Sequence, residues 1–265
     1  MSAVRVPVLM YHRVGEAHNE WERKYCVSAA RFADHMRTLD RSGWRAVTMD
    51  DFFAWLGGTV QLPEQSFLLT FDDGFLGVHE HASPVLEPLG WPATVFLVSQ
   101  LIGRRDTWCE ARNPSGVTYP LMDASHIREL RGQGFRFHSH TRNHADLPTL
   151  DDRQLHDQLA GAREDLQALL GETVDYLAYP YGHYDERVLH VAQAVGYRAA
   201  FSVQPGFNRR NVDHFRLRRL DVFGTDSAAA LKRKITLGSN DGSLGHTLRY
   251  GADRVLARLG LQRNA

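Results

Sequence analysis

Short apolar runs alternate with longer stretches of mixed polarity from one end of the chain to the other. Residues 6–11, 46–48, 66–71, 93–98, 135–139, 175–179, 199–203 and 217–222 read as strands. Several of these runs are continuously apolar, the mark of strands covered on both faces, as in a parallel sheet. Residues 29–41, 124–131, 151–170 and 186–194 read as helices. Leu155, Leu159, Leu166 and Leu170 give the longest of them an apolar stripe at near-helical spacing. Thr149 precedes it as the expected cap, and Asp151 and Asp152 suit the positive end of its dipole.

Four junctions share one grammar. Gly43-Trp44, Gly90-Trp91, Gly134-Phe135 and Gly196-Tyr197 each stand between a polar or helical stretch and an apolar run. A glycine past a helix end takes positive φ without Cβ strain, and the aromatic then covers that end. Repeated helix-to-strand junctions predict an α/β architecture of about eight strands, either a (β/α) barrel or an open doubly wound sheet. In both, chemistry gathers at the C-terminal ends of the strands.

Composition narrows the class. The 265 residues read as a single domain over 1–265. At 43% hydrophobic and 10% aromatic they can bury a core, which excludes a disordered chain. Lys+Arg and Asp+Glu are 31 each, and zero net charge argues against nucleic acid as a partner. No apolar run approaches the roughly 20 residues of a membrane span. The first ten residues hold too short an apolar stretch for a signal peptide, and Pro7 interrupts it, so a cytoplasmic location is expected. Cys26 and Cys109 form no C-x-x-C and read as free thiols of a reducing compartment. The count that changes the picture is 14 histidines.

Candidate chemistry lies just after the apolar runs. Asp72-Asp73-Gly74 follows Phe71; if the strand geometry continues, the two carboxylates point to different sides and can split two tasks, metal binding and water activation. In His138-Ser139-His140-Thr141-Arg142-Asn143-His144, two pairings compete. His140 and His144 suit one helical turn gripping an ion, whereas His138 and His140 share one strand face. Imidazole with carboxylate suits Zn²⁺ and neighbouring divalent metals, and three protein ligands leave a position open for water. At Tyr179-Pro180-Tyr181-Gly182, the Tyr181 amide on a rigid turn can serve as an oxyanion donor. His12 ends the first run; alone it reads as a buried, hydrogen-bonded histidine.

Together these residues resemble the polysaccharide deacetylases of carbohydrate esterase family 4, the NodB-homology group. The resemblance rests on Thr70-Phe71-Asp72-Asp73-Gly74, His140-Thr141-Arg142-Asn143-His144 and Ala178-Tyr179-Pro180-Tyr181-Gly182, and covers about residues 6 to 223. It implies a distorted (β/α) barrel and metal-dependent removal of acetyl groups from sugars. Asp73, His140 and His144 would be the metal ligands, Asp72 the general base, and the Tyr181 amide an oxyanion donor. The metal would be divalent, zinc first, with nickel, cobalt, manganese and iron as alternatives. The usual arginine before the Pro-Tyr turn is replaced by Tyr179, and no C-terminal strand ends in a histidine. The start, Pro7-Val8-Leu9-Met10-Tyr11-His12, is similar to the circularly permuted poly-N-acetylglucosamine deacetylases. That similarity implies His12 as general acid, and leaves Arg219 of Leu217-Arg218-Arg219-Leu220-Asp221-Val222 to brace Asp72. The expected substrate is an N-acetylglucosamine-containing glycan or glycan precursor. A deacylase of a lipid-linked sugar or other small amide, and a non-catalytic metal-bearing carbohydrate-binding module, are the alternatives. Trp108, Tyr181, Tyr184 and Phe207 are the candidate aromatics for a sugar groove.

Overall fold

The computed structural model describes residues 5–247; the expected domain limits, 1 and 265, fall outside that range. The strands among these residues are β1 (Val8–Tyr11), β2 (Arg13–Val14), β3 (Cys26–Val27), β4 (Arg45–Val47), β5 (Ser66–Phe71), β6 (Thr94–Leu97), β7 (Arg136–Ser139), β8 (Tyr176–Ala178), β9 (Ala199–Phe201) and β10 (Leu220–Asp221). One parallel sheet runs β10-β1-β5-β6-β7-β8-β9. β4 takes the first half of the β5 edge whose second half meets β6. β2 and β3 form a separate parallel pair. Past β9, Phe201 bridges Leu217 in parallel, and the Ser202 amide donates to the Leu217 carbonyl at 2.8 Å. The same stretch of chain then pairs with β1 as β10. The sheet therefore curls until its two ends share residues 217–221, the distorted (β/α) barrel that the alternation of elements predicts.

Strand alternation divides the core in two. One face of the strands, with Leu9, Leu69, Val95, Phe137, Leu177 and Leu220, packs against the surrounding helices in the larger apolar cluster. The other face fills the barrel with Val8, Leu68, Phe96, Tyr176, Ala199 and Phe201. Helix Met49–Leu56 closes the barrel from the end opposite the site by adding Met49, Phe52, Trp55 and Leu56 to this inner cluster. The sequence reading assigned no helix there. Asp50 and Asp51 form its exposed face, but at eight residues it is too short for a helical period to stand out. Thr48, read as the end of a strand, is instead its N-cap, accepting from the Asp51 amide at 3.0 Å. The helix Ala228–Leu237 was also unread; its apolar stripe is interrupted by Lys234, which is buried against Asp226.

The glycine-aromatic junctions behave as expected. Gly43, Gly90, Gly134 and Gly196 all have positive φ, between 62° and 93°. Trp44, Trp91, Phe135 and Tyr197 are buried behind them. The long helix differs in two respects. Asp151, not Thr149, caps it, with Gln154 completing a reciprocal capping box. A π-helical turn, Asp157–Gly161, divides Asp152–His156 from Ala162–Leu170. Among the described residues no helix is long and apolar enough to cross a membrane. Cys26 and Cys109 are both free.

Because Phe52 is fully buried among aromatic rings at the closed end of the barrel, Phe52→Ala should destabilise the fold by about 3–5 kcal/mol, through lost transfer energy and a residual cavity. Urea denaturation monitored by fluorescence measures this; a change below about 1 kcal/mol would show that the plug is not part of the core.

Candidate active site and metal centre

The C-terminal ends of β1, β5, β7, β8 and β10 open onto one cavity of about 340 Å³. His12, Asp72, Asp73, His140, His144 and Tyr181 all line it. The strand register explains why. Met10 of β1 sits beside Asp221 of β10 and Thr70 of β5, so residues two positions further on reach the barrel mouth on the inner face.

Asp72 and Asp73 point to different partners. The Asp72 amide donates to the Tyr11 carbonyl at 2.9 Å, continuing the sheet. Its carboxylate turns inward to Arg219, whose Nη1 and Nη2 donate to Oδ1 and Oδ2 at 2.6 and 2.8 Å. Both side chains are buried. Arg219 Nε also donates to the Ser202 carbonyl at 3.0 Å, and its guanidinium lies 5.6 and 5.9 Å from the Phe96 and Phe201 ring centroids. Burial alone would raise the Asp72 pKa, but the Arg219 charge, with His140 and His12 behind it, holds it below the ordinary carboxylate range. Asp72 is therefore ionised at neutral pH.

Asp73 takes φ 74°, and Gly74 follows at φ 82°, so the chain reverses at once. At this φ glycine avoids the strain of an L side chain, and a Cβ here would also push on Leu97 Cδ2. Asp73 Oδ1 then lies 3.4 Å from His140 Nε2 and 3.3 Å from His144 Nε2. One ligand atom from each of the three residues lies within 4.8 Å of the others, and all three residues are buried. Burial would raise the Asp73 pKa, but the imidazoles of His144, His140 and His12 bring it to about 2.

Of the two histidine pairings, the structure selects His140 with His144. They do not lie on a helical turn: the chain beyond Ser139 is a loop in which Thr141 and His144 both take left-handed φ, 69° and 62°. Hydrogen bonds hold that loop. The Ser99 and Gln100 amides donate to the Thr141 and Arg142 carbonyls, and Arg142 pairs with Asp165 and Asp157 on the long helix. His138 shares the inner face with His140 but lies deeper, against Tyr176 at 4.7 Å and Phe96 at 6.4 Å. Burial, helped by the Arg136 charge, pushes its pKa down to about 3.

His140 is buried enough for its pKa to fall to about 4, so it is neutral. Its Nδ1 faces the Ala178 carbonyl at 2.8 Å, which requires the proton there and leaves the Nε2 lone pair aimed at Asp73. Asp73 Oδ1 is buried without a hydrogen-bond donor. A buried acceptor facing two imidazole nitrogens fits a divalent cation and is costly without one.

Tyr181 stands between Pro180 and Gly182 at φ 59°, ψ 1°, and its ring meets His144 edge-on at 4.5 Å. Tyr179 is not an arginine in disguise: its hydroxyl donates to the Phe215 carbonyl, away from Asp72. Of the candidate groove aromatics, Trp108 and Tyr181 line the cavity. Tyr184 stacks on Tyr179 instead, and Phe207 covers Gly238. The sequence reading gave no role to Asp221, two positions beyond Arg219 on the same face of the strand, which lines the cavity with His12. Asn240 fixes it, accepting from the Asp221 amide at 2.9 Å and donating to its Oδ2 at 2.6 Å. The inner-face repeat Arg219–Asp221 was the available signal.

Comparison with known proteins agrees with this geometry. YxkH of Bacillus subtilis (strain 168) is 26% identical over 218 residues, 82% of this chain and 71% of that protein. The poly-β-1,6-N-acetyl-D-glucosamine N-deacetylase of Staphylococcus aureus (strain MSSA476) is 21% identical over 216 residues, 74% and 71% of the two chains. The structure of the Streptococcus pyogenes deacetylase PplD in complex with acetate superposes with a TM-score of 0.75 at 19% identity, covering 88% of this chain and 98% of that one. The family model for polysaccharide deacetylase matches residues 59–200, more than half of the chain, and includes Asp72, Asp73, His140, His144 and Tyr181. The chain belongs to the polysaccharide deacetylase family.

Proposed function

We propose that the chain is a metal-dependent hydrolase that removes acetyl groups from N-acetylglucosamine units of a glycan or glycan precursor. The observation that carries this reading is the convergence of Asp73, His140 and His144, with an ionised, arginine-clamped Asp72 beside them in one cavity. The activity named for the Staphylococcus aureus relative supports the substrate class.

Asp73, His140 and His144 would hold the metal, and zinc suits two imidazoles and a carboxylate. Bound there, the ion supplies Lewis acidity that makes water a nucleophile near neutral pH and polarises the acetyl carbonyl. Asp72 accepts the proton of the attacking water as oxygen adds to the acetamide carbon. Arg219 keeps that carboxylate ionised and fixed in direction. The Tyr181 amide donates to the oxyanion. His12 gives a proton to the leaving nitrogen as the carbon–nitrogen bond breaks, releasing acetate and the free amine. Asp221 lines the same mouth as His12.

Acetate release from N-acetylglucosamine oligomers should be abolished by a chelator and restored by added zinc; release that persists after the metal is stripped would exclude the metal-dependent reading. Asp72→Asn should lower turnover by about 10²–10⁴-fold with metal content unchanged, and near wild-type turnover would remove Asp72 as the base. His12→Ala should slow release from the acetamide to a similar degree while sparing 4-nitrophenyl acetate, whose leaving group needs no proton. Equal losses on both substrates would show that His12 is not the acid.

A further inference from the structure

The two imidazoles of the metal centre are oriented by different forces. His140 is held by its hydrogen bond to the Ala178 carbonyl. His144 is only 6% exposed, yet its Nδ1 is buried without a hydrogen-bond partner among the described residues. What surrounds it is aromatic. The Trp108 ring stacks on it with centroids 4.6 Å apart and planes 13° from parallel, and Tyr181 meets it at 88°.

Resting on the metal-centre reading, we infer that Trp108 is a positioning residue for His144, fixing by ring stacking the direction of a ligand that no hydrogen bond fixes. A flat stack on one side and a perpendicular ring on the other leave the imidazole little freedom to turn about its Cβ–Cγ bond. A bound dication also draws charge from the imidazole, and the electron-rich indole face favours a ring so polarised.

Trp108 can do this only if it is itself held. It lies in a single 3₁₀ turn, Thr107–Cys109, on an excursion between residues 103 and 122 that contributes no strand to the barrel. Buried Glu22 anchors that excursion, accepting from Asn113 Nδ2 at 2.9 Å and from the Tyr119 hydroxyl at 2.8 Å. Glu22 is tied in turn to Arg13, just past β1. The Asp106 amide donates to the Tyr119 carbonyl at 3.1 Å, closing the base of the excursion. Two loops outside the barrel thus meet to press one indole onto one metal ligand.

The test is metal affinity, independent of turnover. Full-length wild type, Trp108→Leu and Trp108→Phe are stripped and titrated with Co²⁺, reading the visible d–d bands, and then with Zn²⁺ in competition. Trp108→Leu keeps bulk but no ring; it should bind about 10–100-fold more weakly, the usual cost of losing an orienting partner of a ligand, with shifted Co²⁺ bands. Trp108→Phe should fall between it and wild type. Urea denaturation of the stripped proteins checks that both variants fold; if Trp108→Leu does not, Trp108→Met takes its place with the same expectation. Wild-type affinity and unchanged bands in the ringless variant would overturn the inference, as would equal loss in Trp108→Leu and Trp108→Phe. Failure of the wild type to bind either ion would overturn the metal centre itself.

Discussion

Arg219 and Asp72 stand 147 residues apart in the chain and meet in a fully buried, bidentate ion pair. Removing two such charges from water costs several kcal/mol each, repaid only when geometry is close and every remaining donor is satisfied. Arg219 meets the first condition with a bidentate contact at 2.6 and 2.8 Å, and it places Nε on the Ser202 carbonyl, with Phe96 and Phe201 beside it. Arg219 can arrive only on residues 217–221, the stretch that touches β9 on one side and β1 on the other. Closure of the barrel and the ionised state of Asp72 are thus one physical condition. An open sheet would leave Asp72 either solvated or protonated.

The site also concentrates backbone strain. Among the described residues, the non-glycine positions with positive φ are Asp73, Thr141, His144 and Tyr181. Three line the cavity, and Thr141 sits between His140 and His144. Such conformations cost of order 1–3 kcal/mol each and persist only where the surroundings impose them. Here they serve to aim groups. The left-handed turn at Asp73 separates two adjacent carboxylates, sending one to Arg219 and one to the imidazoles. Those at Thr141 and His144 fold a loop back so that both imidazoles reach one carboxylate oxygen. Arg142 and Asn143, between them, dock the loop on the long helix.

Much of this was legible from local pattern. The continuous apolar runs marked the barrel strands, and the glycine-aromatic pairs marked where helices end, because both depend on residues a few positions apart. The failures were also local in cause. Helix Met49–Leu56 hid because eight residues are too few for a helical period to stand out. Thr149 is not the cap because Asp151, nearer the helix, offers the same chemistry with a reciprocal partner in Gln154. His140 and His144 do converge on Asp73, but through a loop with left-handed residues rather than the helical turn their spacing suggested.

The sequence by itself determined the donor types, their order and their attachment to strand ends, since an apolar run followed by acids or imidazoles leaves little other choice in a parallel α/β fold. Only the tertiary structure decided that His138 lies apart from the cluster, that Arg219, offered by resemblance alone, reaches Asp72, that Trp108 stacks on His144, and that Asp221 joins the site. The reason is range. Spacing along a chain constrains neighbours within a turn or a strand, whereas these pairings depend on how far the sheet curls and where loops outside the barrel come to rest.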